Sequence, residues 1–246
     1  MSAFVPGQSG YEPGLDPGPE PEILILSERL RRDTHGVHAI VGSVASFNRL
    51  IVVRLPDETS LATPAEVRKR TRSVAEYRDV YRKFLLATIA FESSVLASLS
   101  ESPATAAVLA NPLYPRETPQ SVALLRADLT TVFGEPVARR AVRMPSLPVI
   151  RTIADWVGTE YVRLGSRAGT AVIAAAVECN LGLDAERGAS YLCRYGPDTR
   201  SHLERLSTWI DSYALTDEDA DAAVHAAIRT FEGVGVWHRM FDAMTR

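Results

Sequence analysis

Residues 161–171 read YVRLGSRAGTA. Gly165 and Gly169 stand four apart, about one helical turn, in a segment otherwise made of good helix formers. A glycine in a helix interior costs about 1 kcal/mol relative to alanine. Two such costs one turn apart point to close approach of another group or to a bend. Ser166, Ala168, Thr170 and Ala171 continue the surface with small side chains. Two readings are open: another helix packs on the glycines, or a flat ligand lies against them.

The flanking sequence is helical in period. Pro145 and Pro148 precede a predicted long helix over about residues 149–180. SHLERLSTWIDSYAL (201–215) and EDADAAVHAAIRTFEGVGVWHRMFDAM (218–244) predict two more, the last capped by Thr216 and Asp219. Upstream, Thr118-Pro119 opens a helix through SVALLRADLTTVFG, with Gly134 near its end. ESPATAAVLANPLYPRETP (101–119) is a loop-rich connection with a short helical turn. A helix over about 73–98 starts at a capping box of Ser73 and Glu76, and Leu85, Ile89, Glu92 and Leu96 share one side. The first helix runs from about residue 22 to 48, and residues 50–72, interrupted by Pro56 and Pro64, form an excursion. Residues 1–22, rich in Gly and Pro, read as a flexible tail ahead of one domain over 23–246. No strand alternation persists, so the expected class is all-α, a single-domain irregular helical bundle.

The 246-residue chain has a formal net charge of −3, which argues against nucleic acid as a partner. Arg68-Lys69-Arg70 and Arg139-Arg140 read as solvated faces. The two cysteines, Cys179 and Cys193, make no disulfide framework and no zinc spacing, which fits a reducing cytoplasm. No signal-peptide pattern opens the chain, and no apolar run reaches the roughly 18 residues of a membrane span, so no membrane is expected.

The first helix carries RLRRDTHGVHAI (29–40). His38 follows Thr34 by four and Leu30 by eight and precedes Val41 by three, which sets it on or beside the apolar stripe. His35 shares a polar side with Glu28, Arg31 and Arg32. His38 is therefore the better candidate metal ligand, although a histidine there also suits an ordinary core or boundary position. Arg31 lies seven residues earlier, about 10.5 Å along the axis on nearly the same face. It suits either the anionic edge of a flat ligand or an ion pair with Glu28.

Other candidates carry less. Glu92, Glu160 and Glu178 suggest a buried di-iron site, but no Glu-x-x-His pair accompanies them. His202, His225 and His238 fall on separate segments without an HExxH pair. Trp156, Trp209 and Trp237 read as core or boundary aromatics. There is no phosphate loop, nucleophile elbow or dinucleotide fingerprint.

Taken together, these segments resemble the heme oxygenase family. LRRDTHGVH (30–38) is similar to its proximal segment, whose Thr-x-x-x-His ends in the axial iron ligand. YRKFLLATIAFESSV (81–95) and LLRADL (124–129) resemble further family segments. GTEYVRLGSRAG (158–169) resembles the distal helix of bacterial members associated with phytochromes, and LGLDAERGASYLCRYGPDTRSHLERL (181–206) is close to the same members. The resemblance covers most of residues 26–243.

The resemblance implies heme sandwiched between two helices and oxidised, as cofactor and substrate at once, to biliverdin, carbon monoxide and ferrous iron. It makes His38 the axial ligand, in a heme-binding set with Thr34, Arg31, Gly165, Gly169 and Arg205. Arg31 and Arg205, with Arg194 and Tyr195 nearby, would face the propionates. Gly165, Ser166 and Gly169 would form the catalytic wall, and Arg167 would serve the helix surface. The implied partners are an electron donor, ferredoxin or a flavin reductase, and a phytochrome as biliverdin acceptor. Three positions depart from family patterns: Ser166 stands where mammalian-type enzymes carry Asp, Thr170 where Gly or Ala is usual, and Leu164 where many bacterial members carry Glu. A non-catalytic heme carrier or sensor on the same fold, and a heme-free helical interaction module, are the alternatives.

Overall fold

Helix α1 (Leu26–Gly42) buries Leu30, Thr34 and Val41 along one face, spaced as a helical stripe requires. Its first turn is tied down by two contacts. The backbone N–H and the hydroxyl of Ser27 both donate to the Asp211 carboxylate at 2.8 Å, and Arg29 pairs with Asp221. The computed structural model describes residues 25–42, 50, 74–116, 118–134, 144, 147–194, 196–213 and 215–244. The expected tail (1–22), the two ends expected for the first helix, Ser73 of the expected capping box, Tyr195, and the 50–72 excursion apart from Leu50 lie outside them.

Helix α2 (Val74–Glu101) follows. By length and composition alone it could cross a membrane, but most of its most apolar stretch is buried in protein. Helix α3 (Thr105–Ala110) is the short turn expected in the 101–119 connection. Helix α4 (Thr118–Phe133) begins at Thr118-Pro119 and ends where Gly134 takes a φ of +67° and its N–H donates to Thr130 O at 2.9 Å.

The long helix expected over 149–180 is divided, and it starts later. Thr152 and Asp155 form a reciprocal capping box, which starts helix α5 (Ile153–Gly165) and leaves residues 149–151 non-helical. A 3₁₀ turn (Ser166–Gly169) interrupts it, and helix α6 (Thr170–Leu181) runs on to Gly182. The two glycines sit at the junctions of this turn, where the backbone changes winding. Helix α7 (Ser190–Cys193) starts on Asp128 of α4, whose carboxylate accepts the N–H groups of Ser190 and Tyr191, both at 2.9 Å. Helix α8 (Thr199–Asp211) and helix α9 (Asp217–Met244) complete the bundle. The expected Thr216 cap is present: its hydroxyl accepts from the Asp219 N–H at 3.2 Å and donates to the Asp219 carboxylate at 2.8 Å.

Two apolar clusters hold these helices. One joins α1, the C-terminal half of α2, α5, α8 and α9 and contains Trp156, Trp209 and Trp237, as expected of core aromatics. The other joins the N-terminal half of α2 to α4, α6 and α7. α5 and α9 approach most tightly at Gly158: a side-chain carbon there would collide with Ala223 O and lie 2.9 Å from both Ala226 Cβ and Ala227 N. The space between the two clusters, beside the 3₁₀ turn, is open.

Candidate functional site

That opening is a cleft of about 280 Å³. His38 and Val41 of α1 line it, with Phe231, Val234 and His238 of α9. The 3₁₀ segment and its flanks contribute Gly165, Ser166, Ala168, Gly169 and Thr170. Phe84, Thr88 and Phe91 of α2, Val162 of α5, Ile173 of α6 and Tyr191 of α7 also line it. A cavity walled mainly by apolar side chains with a few polar groups is the usual form of a small-molecule site.

The glycines play different parts. A side-chain carbon on Gly169 would meet nothing within 4 Å, whereas one on Gly165 would touch Leu206 at 4.0 Å. The two glycines thus add no side chain to the wall. Of the hydroxyl-bearing residues that line the cleft, three donate to carbonyls of their own helical segments: Thr88 to Phe84 O at 2.7 Å, Ser166 to Arg163 O at 2.8 Å and Thr170 to Arg167 O at 2.7 Å. Their oxygens can still accept a bond from a ligand, but their protons are already used.

Two imidazoles face this space. His38 is exposed overall, and its ring stands edge-on to Phe231 with centroids 5.3 Å apart. His238 is 3% exposed, and burial pushes its pKa down to about 4, so its ring is neutral near pH 7. Among the described residues no cluster of three or more His, Cys, Asp or Glu side chains could hold a bare metal ion.

The structure brings together His38, Gly165, Ser166, Gly169 and Thr170. It does not bring Thr34, Arg31 or Arg205 into the cleft lining. The Thr34 side chain is buried and its hydroxyl donates to Leu30 O at 2.7 Å. Arg31 is exposed on α1, and Arg205 is exposed on α8 with Nη1 3.0 Å from Ser201 Oγ. Arg194 lies 3.5 Å from Ser121 Oγ. His202 is buried against Leu164 O at 3.3 Å, and His225 and His35 are exposed.

Arg167 corrects an expectation. It is not on the helix surface but 1% exposed, paired with Glu92 at 2.8 Å. Glu92 also takes Arg163 at 3.0 Å, and Arg163 binds Glu160 through two nitrogens, each at 2.6 Å. Burial opposes charge on Arg163, but Glu160 and Glu92 outweigh it and hold its pKa well above the ordinary value. This also answers the di-iron alternative: Glu92 and Glu160 are spent on guanidinium groups, and Glu178 is exposed. Arg163, Tyr191 and Phe231 belong to the site or its support although they are not among the sequence candidates. For Phe231, Val234 and His238 a signal existed, since they recur at i, i+3 and i+7 on α9.

Neither a model of a known protein family nor a curated protein sequence matches the chain. Solved structures do. A heme oxygenase from Neisseria meningitidis, solved with nitric oxide and carbon monoxide bound, matches with a TM-score of 0.62 at 20% identity over 89% of this chain and 93% of that one. A heme oxygenase from Leptospira interrogans matches at 0.60 and 15% identity over 88% of this chain and 100% of that one. A heme oxygenase from the cyanobacterium Synechocystis in complex with heme matches at 0.59 and 14% identity over 90% and 94%. The fold of this chain is therefore the all-helical single domain of heme oxygenases.

Proposed function

We propose that this chain is a heme oxygenase, taking heme, dioxygen and external electrons to biliverdin, carbon monoxide and ferrous iron. One observation carries the reading. His38 and the glycine segment line the same largely apolar cleft, and a side-chain carbon on Gly169 would meet nothing within 4 Å. A flat macrocycle needs an imidazole on one face and little bulk on the other, and the residues present fit that demand. Bound heme would supply the redox-active iron and the ring that is opened.

The chain's own tasks follow from its residues. His38 would ligate the iron through an imidazole nitrogen, and its edge-on contact with Phe231 would limit the rotation of its ring. The lining of Val41, Phe84, Phe91 and Val162 excludes water. Gly165, Ser166 and Gly169 keep the opposite side thin, and the oxygens of Ser166 and Thr170 accept hydrogen bonds from water or ligand there. Arg31 and Arg205, both exposed and outside the cleft lining, would pair with the carboxylates of bound heme, and the Thr34 hydroxyl donates to Leu30 O within α1. Electrons come from a ferredoxin or flavin reductase in the cytoplasm. The likeness of residues 158–169 and 181–206 to phytochrome-associated sequences supports a phytochrome as biliverdin acceptor.

A second reading, a heme carrier or sensor without turnover, has one observation in its favour. The hydroxyl protons of Thr88, Ser166 and Thr170 are all committed to backbone carbonyls, leaving few donors in the cleft. Hemin titration followed by reduction separates the readings. One hemin per chain, a sharp Soret band, and loss or change of that band in His38→Ala are expected. Ascorbate or a reductase should then produce biliverdin absorbance with carbon monoxide. Intact reduced heme would favour the carrier, and failure of hemin to bind would end both.

A further inference from the structure

Glu92 of α2 faces the junction where α5 gives way to the 3₁₀ turn. Its two carboxylate oxygens are divided between two arginines. Oε2 accepts from Arg163 Nη1 at 3.0 Å, and Oε1 accepts from Arg167 Nη2 at 2.8 Å. Arg163 lies in the last turn of α5 and Arg167 lies in the 3₁₀ turn, with Gly165 between them. None of the three side chains is more than 1% exposed. Glu160 balances the second guanidinium, so the cluster holds two positive and two negative groups.

The cluster reaches the cleft by two routes. The carbonyls of the same two arginines accept the hydroxyls of the wall residues, Arg163 O from Ser166 and Arg167 O from Thr170. Tyr191, which lines the cleft, packs its ring under the Arg167 guanidinium, 5.4 Å from ring centroid to carbon, with its hydroxyl 3.5 Å from Glu92 Oε1. A short 3₁₀ turn flanked by glycines has weak intrinsic definition, because its hydrogen bonds are poorly aligned and glycine widens the backbone choice. Buried charge-assisted bonds in a fixed fork geometry supply the missing direction.

We propose that Glu92 is a positioning residue: by holding Arg163 and Arg167 together it fixes the height of the glycine wall over the cleft, and so limits the size of ligand that the wall side of a bound heme accepts. The anchoring stands on the fold alone, and the ligand limit rests on the heme reading above. Glu92→Gln keeps the shape and loses the charge. Arg167→Gln releases the turn while leaving Arg163 paired.

Two measurements test this. In heme-free protein, amide hydrogen exchange over residues 164–171 should quicken about tenfold in either variant, with α9 unchanged. In the ferric hemin complex, imidazole should bind about tenfold more tightly in either variant while cyanide affinity stays level, because only the bulkier ligand meets the wall. Arg167→Lys should restore most of both effects. Wild-type exchange at the turn in a folded variant, or an unchanged imidazole-to-cyanide ratio, would overturn the proposal. If wild type fails to bind hemin, the heme reading and the ligand limit both fall, and exchange alone decides the anchor. If Glu92→Gln does not fold, Arg167→Gln carries both measurements.

Discussion

The imidazole of His38 meets the ring of Phe231 edge-on, with centroids 5.3 Å apart and planes inclined at 71°. This is a favoured geometry for aromatic rings, and it links the candidate ligand on α1 to the last helix of the chain. Phe231 is 6% exposed, so Phe231→Ala should cost about 3 kcal/mol of stability in urea unfolding. Phe231→Leu should cost less than about 1.5 kcal/mol. Both should weaken hemin binding and broaden the Soret band. An unaltered spectrum in Phe231→Leu would mean that the contact does not orient the imidazole.

Gly158 and Gly169 should respond oppositely to the same change. Gly158→Ala drives a methyl into the Ala223 carbonyl and should cost about 3 kcal/mol, as overpacking between rigid helices does. Gly169→Ala meets open space and should be neutral or stabilising by up to about 1 kcal/mol. Gly169→Leu should fold and purify, yet lose hemin affinity or turnover because its side chain fills the cleft. Full turnover in Gly169→Leu would remove Gly169 from the wall.

The buried ion cluster predicts a non-additive pair. Arg163→Met leaves Glu160 without its guanidinium and Glu92 with only that of Arg167, at a cost of about 3–5 kcal/mol. Adding Glu160→Gln removes the stranded charge and leaves Glu92 paired with Arg167. The double variant should therefore be more stable than Arg163→Met alone in a double-mutant cycle. Equal or greater loss in the double variant would show that Glu160 contributes by packing rather than charge.

His238 sets a pH dependence. Its folded-state pKa of about 4 lies below the ordinary 6.5, so the unfolded chain binds the proton more readily. Stability from this group is complete above about pH 6.5, falls as pH drops toward 4, and is then lost by about 3 kcal/mol in all. His238→Gln should flatten the stability profile between those limits relative to wild type. Parallel profiles would mean that His238 protonates as readily in the folded chain.

Most helix ends were readable because their signals are local. Thr216 with Asp219, and Thr118-Pro119 with Gly134, mark ends within four residues of themselves or by one glycine. The helix expected from about residue 149 starts at Ile153 because the box of Thr152 and Asp155, and not the helical period of the long segment, sets its first turn. Residues of one helix face were also readable: His38 faces the cleft, and Gly165, Ser166, Gly169 and Thr170 share it. Tyr191 and Glu92 were not, since their partners lie far along the chain. Arg167 looked like a surface charge because Glu92, which neutralises it, is 75 residues away.

The three glycines in GTEYVRLGSRAG show where the boundary falls. Composition and spacing alone established a helical chain with a small-residue surface here, because propensity and period are properties of neighbouring residues. They left both helix packing and ligand contact open. Helix packing is met at Gly158, pressed against Ala223 and Ala227 of α9, while Gly169 lines the open cleft. That division depends on how α9, entering about sixty residues later, lies across α5 and not across the 3₁₀ turn. Packing between distant helices is a contest among whole surfaces, and only the assembled bundle settles which glycine is filled and which is left bare.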